Sequence, residues 1–308
     1  MKLSIVTLAL NEEKNLPRCL GAVRRLDPKG WEIEHIVCDG GSKDRTVQLA
    51  EELGAKVVHA EPGIPRQRNV GARAATGEVI AQIDADVEVF QGYMDAVYRH
   101  FGEGKDLVLG GNKRLPPDAS WVAKAYALSW VGAATVLGEG PGTADASSIS
   151  CMCMTTTRRV YDLVGWFRED LLVEEDTAFV YGAEQAGVPV IVDPTVDYIH
   201  HGEPKSFKDF VRKTAWNADY TFWFKRLRSG DKTAWRSWMY WWGLMFTGAL
   251  LPGPLPAAGL VLTRAAVTAT KNRTPEWFPQ LVAMYAGYGA GLTAAVMGYS
   301  RNKHKRWR

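Results

Sequence analysis

At 308 residues the chain has room for one large domain, or for a domain with an appendage. Hydrophobic residues at 46% and charged residues at 23% describe a globular protein with a substantial core, which excludes a disordered or fibrous chain. A net charge of +3 gives no case for nucleic acid as a partner, and the four cysteines make neither a disulfide framework nor a metal spacing. A reducing, cytoplasmic setting fits that cysteine usage.

Residues 3–101 alternate strands with helical patterns. The apolar run 3–10 reads as a strand, and it meets Asn11-Glu12-Glu13 too soon to be a signal peptide. Asn11 is a candidate cap for a helix reaching about residue 26. A second strand over 34–38 ends at Asp39-Gly40-Gly41-Ser42. A helix over 42–53 follows, capped by Ser42 or Asp44 and stopped by Gly54. Residues 56–59 read as a third strand, 65–75 as a helix, and 79–83 as a short, buried fourth strand. This order predicts an α/β fold with a Rossmann-like, mostly parallel sheet covered by helices. Ligands of such sheets bind at the carboxyl ends of the strands, where Asp39, Asp84 and Asp86 are expected.

Residues 102–200 are more mixed, with strands predicted near 107–110, 147–155 and 188–192 and helices over 119–136 and 177–186. Cys151 and Cys153 alternate in a strand-like segment and read as small packing residues. Residues 206–228 interleave Phe207, Phe210, Trp216, Tyr220 and Trp223 with Lys208, Arg212, Lys213 and Lys225, a mix suited to a helix lying in a membrane interface. Three apolar runs follow: 238–251, 255–270 with Arg264 as its charge, and 277–299 without charge. The third is long enough to cross a hydrocarbon layer of about 30 Å. The plan is a catalytic domain over 1–205, an interfacial segment over 206–235, a membrane domain over 236–300 and a basic tail over 301–308. Three crossings are preferred to two, although they would leave the basic tail outside, against the positive-inside tendency. The protein is expected to be integral to the cell membrane, with its catalytic domain on the cytoplasmic face.

Asp84-Ala85-Asp86 is the most informative triplet. In extended backbone, residues one and three point the same way, so both carboxylates can reach one hard cation, which can in turn hold phosphate oxygens. Taken alone such a triplet is more often a solvated turn. Asp39-Gly40-Gly41-Ser42 reads equally well as a plain turn before a helix, and the acids of Glu174-Glu175-Asp176 are favoured at a helix start in any case.

Five patches in fixed order change that weighing: Ile5 through Glu13, Val37 through Thr46, Arg66-Gln67-Arg68-Asn69-Val70-Gly71, Asp84-Ala85-Asp86 and Glu174-Glu175-Asp176. Together, over roughly residues 1–200, they resemble family 2 glycosyltransferases of the GT-A fold, in particular membrane-attached polyprenyl-phosphate (dolichyl-phosphate) mannosyltransferases and a shortened cellulose synthase. The resemblance implies a nucleotide diphosphate sugar donor bound by Leu8, Ala9, Leu10, Glu12, Asp39, Arg66, Arg68, Asn69, Asp84, Ala85 and Asp86. It implies a divalent cation, Mn2+ or Mg2+, on Asp84 and Asp86, with Glu88 as a possible third ligand and His200 or His201 as weaker ones. An amide often stands at the position of Glu88 in the dolichyl-phosphate relatives, so a carboxylate departs from the pattern. Asp176 takes the role of general base and Glu175 supports it, in a single displacement that inverts the anomeric centre.

The Gln-x-x-Arg-Trp signature of processive synthases is not present, which favours transfer of one hexose. The resemblance implies mannose from GDP-mannose, moved to a polyprenyl (dolichyl) phosphate or a lipid-linked saccharide at the bilayer, as in protein glycosylation. The alternatives are a UDP-sugar transferase, with glucose or N-acetylglucosamine, for envelope polysaccharide, and a non-catalytic membrane scaffold or sugar-binding module. A sugar nucleotidyltransferase would need a Gly-rich loop where Leu8-Ala9-Leu10-Asn11 stands.

Overall fold

The computed structural model describes residues 1–130, 149–171, 175–217 and 255–296. The chain divides into two compact units. One comprises Met1–Pro116 with Gly138–Gly202, the other Pro117–Leu137 with Glu203–Arg308. The second unit therefore takes a segment, 117–137, from inside the stretch assigned above to the catalytic domain.

In the first unit the chain runs through β1 (Lys2–Ala9), α1 (Leu16–Arg24), β2 (Glu32–Asp39), α2 (Thr46–Glu52), β3 (Lys56–His59) and α3 (Ile64–Ala74). It continues through β4 (Val79–Ile83), β5 (Val87–Val89), α4 (Gln91–Phe101) and β6 (Val108–Arg114). After α5 (Trp121–Trp130), which lies in the second unit, come β7 (Cys153–Thr157), α6 (Arg158–Val164), α7 (Glu175–Gln185) and β8 (Val190–His200).

The eight strands form one sheet in the order β3-β2-β1-β4-β7-β6-β8-β5. Its first half, β3-β2-β1-β4, is parallel throughout. The other half is mixed: β7 runs antiparallel to β4 and β6, β8 is parallel to β6, and β5 is antiparallel to β8. The expectation of a mostly parallel sheet thus holds only for the N-terminal half. There, helical crossovers return each strand in the same direction, and the later strands break that rule.

Strand alternation builds a core on each face. Leu3, Ile5, Val79, Ala81 and Ile83 face a cluster completed by Val23 of α1 and by Tyr93, Met94, Val97 and Phe101 of α4. Val6 and Ile80 point the other way, towards Ala72 of α3, Tyr161 of α6, and Phe179 and Val180 of α7. The helix α3 approaches β1 closely. A Cβ on Gly71 would stand 2.3 Å from Cγ1 of Val6, so only glycine lets the helix lie so close.

Two helix starts differ from the sequence reading. Asn11 does not cap α1, which begins at Leu16 after Asn15; instead Asn11 adopts a left-handed conformation, φ 58°, and its Oδ1 accepts from the Lys43 amide at 2.9 Å. Neither Ser42 nor Asp44 takes the cap position of α2, which begins at Thr46 after Arg45; the carboxylate of Asp44 accepts from the amide of Thr46 at 3.0 Å. In both cases short polar side chains interlock two loops rather than extend a helix.

In the second unit α5, α8 (Phe207–Asn217), α9 (Leu255–Asn272) and α10 (Phe278–Val296) pack together. Phe210 meets Tyr126 edge-on at 5.6 Å, Thr268 and Tyr285 share a hydroxyl hydrogen bond at 2.8 Å, and Asn272 donates to the Leu128 carbonyl at 3.0 Å. Among the described residues no helix is long and apolar enough to cross a membrane. This corrects the expectation of crossings for 255–270 and for the described part of the third run, 277–296. The helix α9 carries Arg264 and Lys271, and α10 dilutes its aliphatic residues with glycine, threonine, tyrosine and Gln280. The run 238–251 and the tail 301–308 lie outside the described residues.

Candidate active site

The carboxyl ends of β1, β2 and β4 meet the inward face of α3. That face is polar where a covering helix is normally apolar: Gln67, Arg68 and Asn69 are all buried. Each of the three engages a different wall. Gln67 donates to the carbonyls of Ala9 (3.2 Å) and Cys38 (3.1 Å), tying together the ends of β1 and β2. Arg68 donates from Nη1 to Oδ1 of Asp84 (3.0 Å) and from Nε to Oε1 of Glu175 (3.2 Å). Asn69 donates to the carbonyl of Phe167 (2.9 Å) and accepts from its amide (3.0 Å), fixing the loop that leads towards α7.

On the β1–β2 side, Asp39 ends its strand buried. Its carboxylate accepts from the amides of Gly41 (2.9 Å) and Ser42 (3.2 Å) and lies 3.5 Å from Nδ1 of the exposed His59. The turn reading of Asp39 is therefore satisfied, while its position at a strand end keeps it beside Ala9, with which it is paired in register. Ser42 and Thr46 reach across to the amides of Asn11 (2.8 Å) and Glu12 (2.7 Å), so the loop after β1 and the loop after β2 form one wall. Leu8 and Ala9 end β1, Ala9 buried among Leu16, Leu20 and Val37, and Leu10 and Glu12 follow them in the loop. Burial raises the Glu12 carboxyl above its ordinary value, and the charges of Asp86, Asp84 and Asp44 push it the same way.

Asp84-Ala85-Asp86 leaves β4 as a turn, closed by the Val87 amide donating to the Asp84 carbonyl at 3.0 Å, and not as the strand extension expected. Asp84 has the parity of Ile80 and Gln82, which turns it to the α3 side. Burial raises its carboxyl, opposed by Arg68 and reinforced by Asp86. Oδ2 of Asp86 stands 3.3 Å from Nε2 of His200. The same oxygen rests against Gly202, where a Cβ would approach to 1.9 Å, so only glycine leaves the carboxylate of Asp86 where it stands. The carboxylate of Glu88, expected as a third cation ligand, meets Nη2 of Arg25 (3.3 Å) and Nε2 of His201 (3.1 Å). Arg66 is exposed and pairs with Glu169 at 3.3 Å.

At the start of α7, Glu175 is buried against Arg68. Burial, first, and the neighbouring charge of Asp176 push its carboxyl up to about 7. Asp176 accepts from the Thr177 amide (2.7 Å) and the Cys151 amide (3.3 Å), which leaves its carboxylate oriented by backbone rather than by a cation. Glu174 lies outside the described residues. The sequence reading had missed Gln67 and Gly202. Gln67 was visible as an uncharged polar residue in register with the buried face of α3; Gly202 had no local signal.

Among the described residues no three His, Cys, Asp or Glu side chains converge as a complete metal cage. Two carboxylates in one tight turn, set among further acids, nevertheless fit a hard divalent cation whose other ligands are diphosphate oxygens and water. Asp84 and Asp86 would hold it.

Residues 4–147, which contain the β1, β2, α3 and β4 walls of this site, match Glycosyl transferase family 2. That match takes in just under half of the chain. Over 134 residues the chain is 34% identical to an uncharacterized glycosyltransferase of Mycobacterium tuberculosis, a stretch covering 41% of this chain and 57% of that protein. The chain thus spans little more than half the length of that relative. Among solved structures, the mannosyltransferase PcManGT of Pyrobaculum calidifontis, in complex with GDP-Man and Mn2+, aligns over 96% of this chain and 86% of its own, with a TM-score of 0.62 and 18% identity. Residues 1–349 of Staphylococcus aureus TarS align over 98% of this chain and 92% of their own, with a TM-score of 0.54 and 18% identity. At these identities the likeness concerns the fold alone.

Proposed function

We propose that the protein transfers one hexose, with inversion, from a nucleotide diphosphate sugar to an acceptor at a membrane surface. The observation that carries this reading is the meeting of Asp84-Ala85-Asp86 with Glu175-Asp176 around the single buried side chain of Arg68. One acidic pair sits at a strand end, the other at a helix start, as donor and acceptor sides require. The bound cation supplies charge neutralisation of the departing nucleoside diphosphate. Leu8, Ala9, Leu10, Glu12 and Asp39 receive the nucleoside along the β1–β2 wall. Asp176 accepts the proton of an acceptor hydroxyl, with Glu175 behind it. A phosphate acceptor is already ionised, and Asp176 then orients it.

Mannose from GDP-mannose is the preferred donor, supported by the likeness to a mannosyltransferase bound to GDP-Man and Mn2+. A TarS complex with UDP-GlcNAc aligns with a TM-score of 0.50, and UDP-N-acetylglucosamine is the second reading. The preferred acceptor is a polyprenyl phosphate or lipid-linked saccharide, with the domain on the cytoplasmic face of the membrane. Support comes from α8 and the turn before it, where Lys205, Lys208 and Arg212 are exposed near Phe207, itself 41% exposed. A donor panel with Mn2+ and a polyprenyl phosphate in detergent tests the reading. Release of GDP from GDP-mannose with formation of a lipid-linked sugar supports it; sugar transfer from UDP-N-acetylglucosamine alone selects the second donor; no transfer from any donor refutes it.

A further inference from the structure

We propose that Arg68 is a positioning residue that ties the donor-side carboxylate Asp84 to the acceptor-side acid Glu175, so that the two halves of the site move as one. The inference rests on the functional reading above and goes beyond it by assigning Arg68 to neither substrate. A cation on an α3 turn at the mouth of this site would ordinarily be expected to meet phosphate. Arg68 is 4% exposed, and its guanidinium is committed to protein acids. The exposed cation of the same turn is Arg66.

The geometry depends on the planar fork. Nη1 addresses Asp84 Oδ1 at 3.0 Å and Gln82 Oε1 at 3.4 Å, while Nε addresses Glu175 Oε1 at 3.2 Å. Gln82 in turn donates to the hydroxyl of Tyr161 at 3.0 Å, so the partners of Nη1 are themselves held from behind. The helix bearing Arg68 is clamped on both sides of it: Gln67 bonds the β1 and β2 ends, Asn69 bonds the Phe167 backbone, and Gly71 seats α3 directly on Val6. Arg68 is thus a rigid spacer between Glu175, 107 positions from it along the chain, and Asp84, 16 positions from it. A lysine keeps the charge but presents one point and cannot span both acids in plane.

The test compares Arg68→Lys, Glu175→Gln and the double variant with wild type. Transfer to a polyprenyl phosphate and donor hydrolysis by water are measured with Mn2+ and GDP-mannose or UDP-N-acetylglucosamine, whichever wild type uses. Nucleotide-binding stoichiometry reports the folded fraction. A structural defect alone lowers hydrolysis and transfer together. Positioning predicts that Arg68→Lys keeps the stoichiometry, lowers transfer by about a hundredfold and raises the hydrolysis-to-transfer ratio about tenfold or more. Glu175→Gln should then cost much less in the Arg68→Lys background than in wild type, because both cut the same bridge. An unchanged ratio in Arg68→Lys, or independent factors in the double variant, overturns the inference. If Arg68→Lys loses its folded fraction, Glu175→Gln decides: it must raise the ratio by itself, and an unchanged ratio overturns the proposal. A wild type inert towards every donor refutes the function and this inference together, whereas an active wild type with an unaffected Arg68→Lys refutes the inference alone.

Discussion

The two acidic pairs of the site resemble each other in sequence and differ in what holds them. The donor-side pair sits in a turn after β4, and the acceptor-side pair opens α7. Each gives one acid to Arg68, namely Asp84 and Glu175. Each keeps one acid off it: Asp86 lies against His200 and Gly202, and Asp176 against backbone amides. The comparison teaches a division of labour. On the proposed reading, the acids on Arg68 set the spacing of the site, Asp84 also facing the cation, and the acids off it face the substrates. Burial makes the first kind expensive to ionise, as with Glu175, unless a cation is fixed beside them.

The largest expected effect falls on an acid off Arg68. Asp176→Asn should lower transfer to a hydroxyl acceptor by roughly 10²–10⁴-fold, the usual worth of a general base. Its effect with a phosphate acceptor should be much smaller, so parallel assays with both acceptor types also decide the acceptor class. Equal losses with both would break the assignment of Asp176 as base.

Gly202→Ala should come next. The new Cβ would collide with Asp86 Oδ2, and the carboxylate has to swing away. We expect the apparent Mn2+ affinity to fall by about tenfold or more, with the thermal midpoint little changed, since the clash is with a side-chain end. Manganese titration of activity checks this; an unaltered titration would show that Asp86 does not hold the cation.

The third effect is on stability. The folded value of Glu175 is raised to about 7 from the ordinary 4.5. Between those values the native state keeps a proton that the unfolded chain releases, so stability is full below the lower value and is lost as pH rises through the upper one. Glu175→Gln removes this titration. Urea midpoints at about pH 5 and about pH 8 should therefore differ less in the variant than in wild type. A larger difference in the variant would contradict the burial of a protonated Glu175.

The smallest effects should belong to residues engaged in ion pairs of their own. Glu88→Gln and Arg66→Ala alter partly exposed ion pairs, and each should change turnover by less than about threefold. A large loss in Glu88→Gln would place it at the cation site.

Much of the donor side was legible because its signals are local. The apolar runs that became β1 and β4, and the acids at the ends of β2 and β4, need only strand alternation and end effects to be read. The tasks of Arg68 and Gly202 were not legible, since their partners lie on distant segments: Glu175 is 107 positions from Arg68, and Asp86 precedes β5 while Gly202 follows β8. Asn11 was misread because a capping residue type also serves a left-handed loop clasp. The run of α10 lacks charge, but its glycine, threonine and tyrosine carry little apolarity, and α9 holds Arg264 and Lys271 among its apolar residues.

The central claim is that the aspartate turn after β4 holds a divalent cation against a nucleoside diphosphate. Calorimetric titration of GDP and of UDP into wild type and Asp86→Asn, each with Mn2+ and with excess chelator, tests it most directly. The account predicts that one nucleotide binds wild type tightly only with Mn2+, and that Asp86→Asn abolishes the gain that the metal brings. Binding of equal strength in chelator, or a full manganese gain in Asp86→Asn, would contradict it.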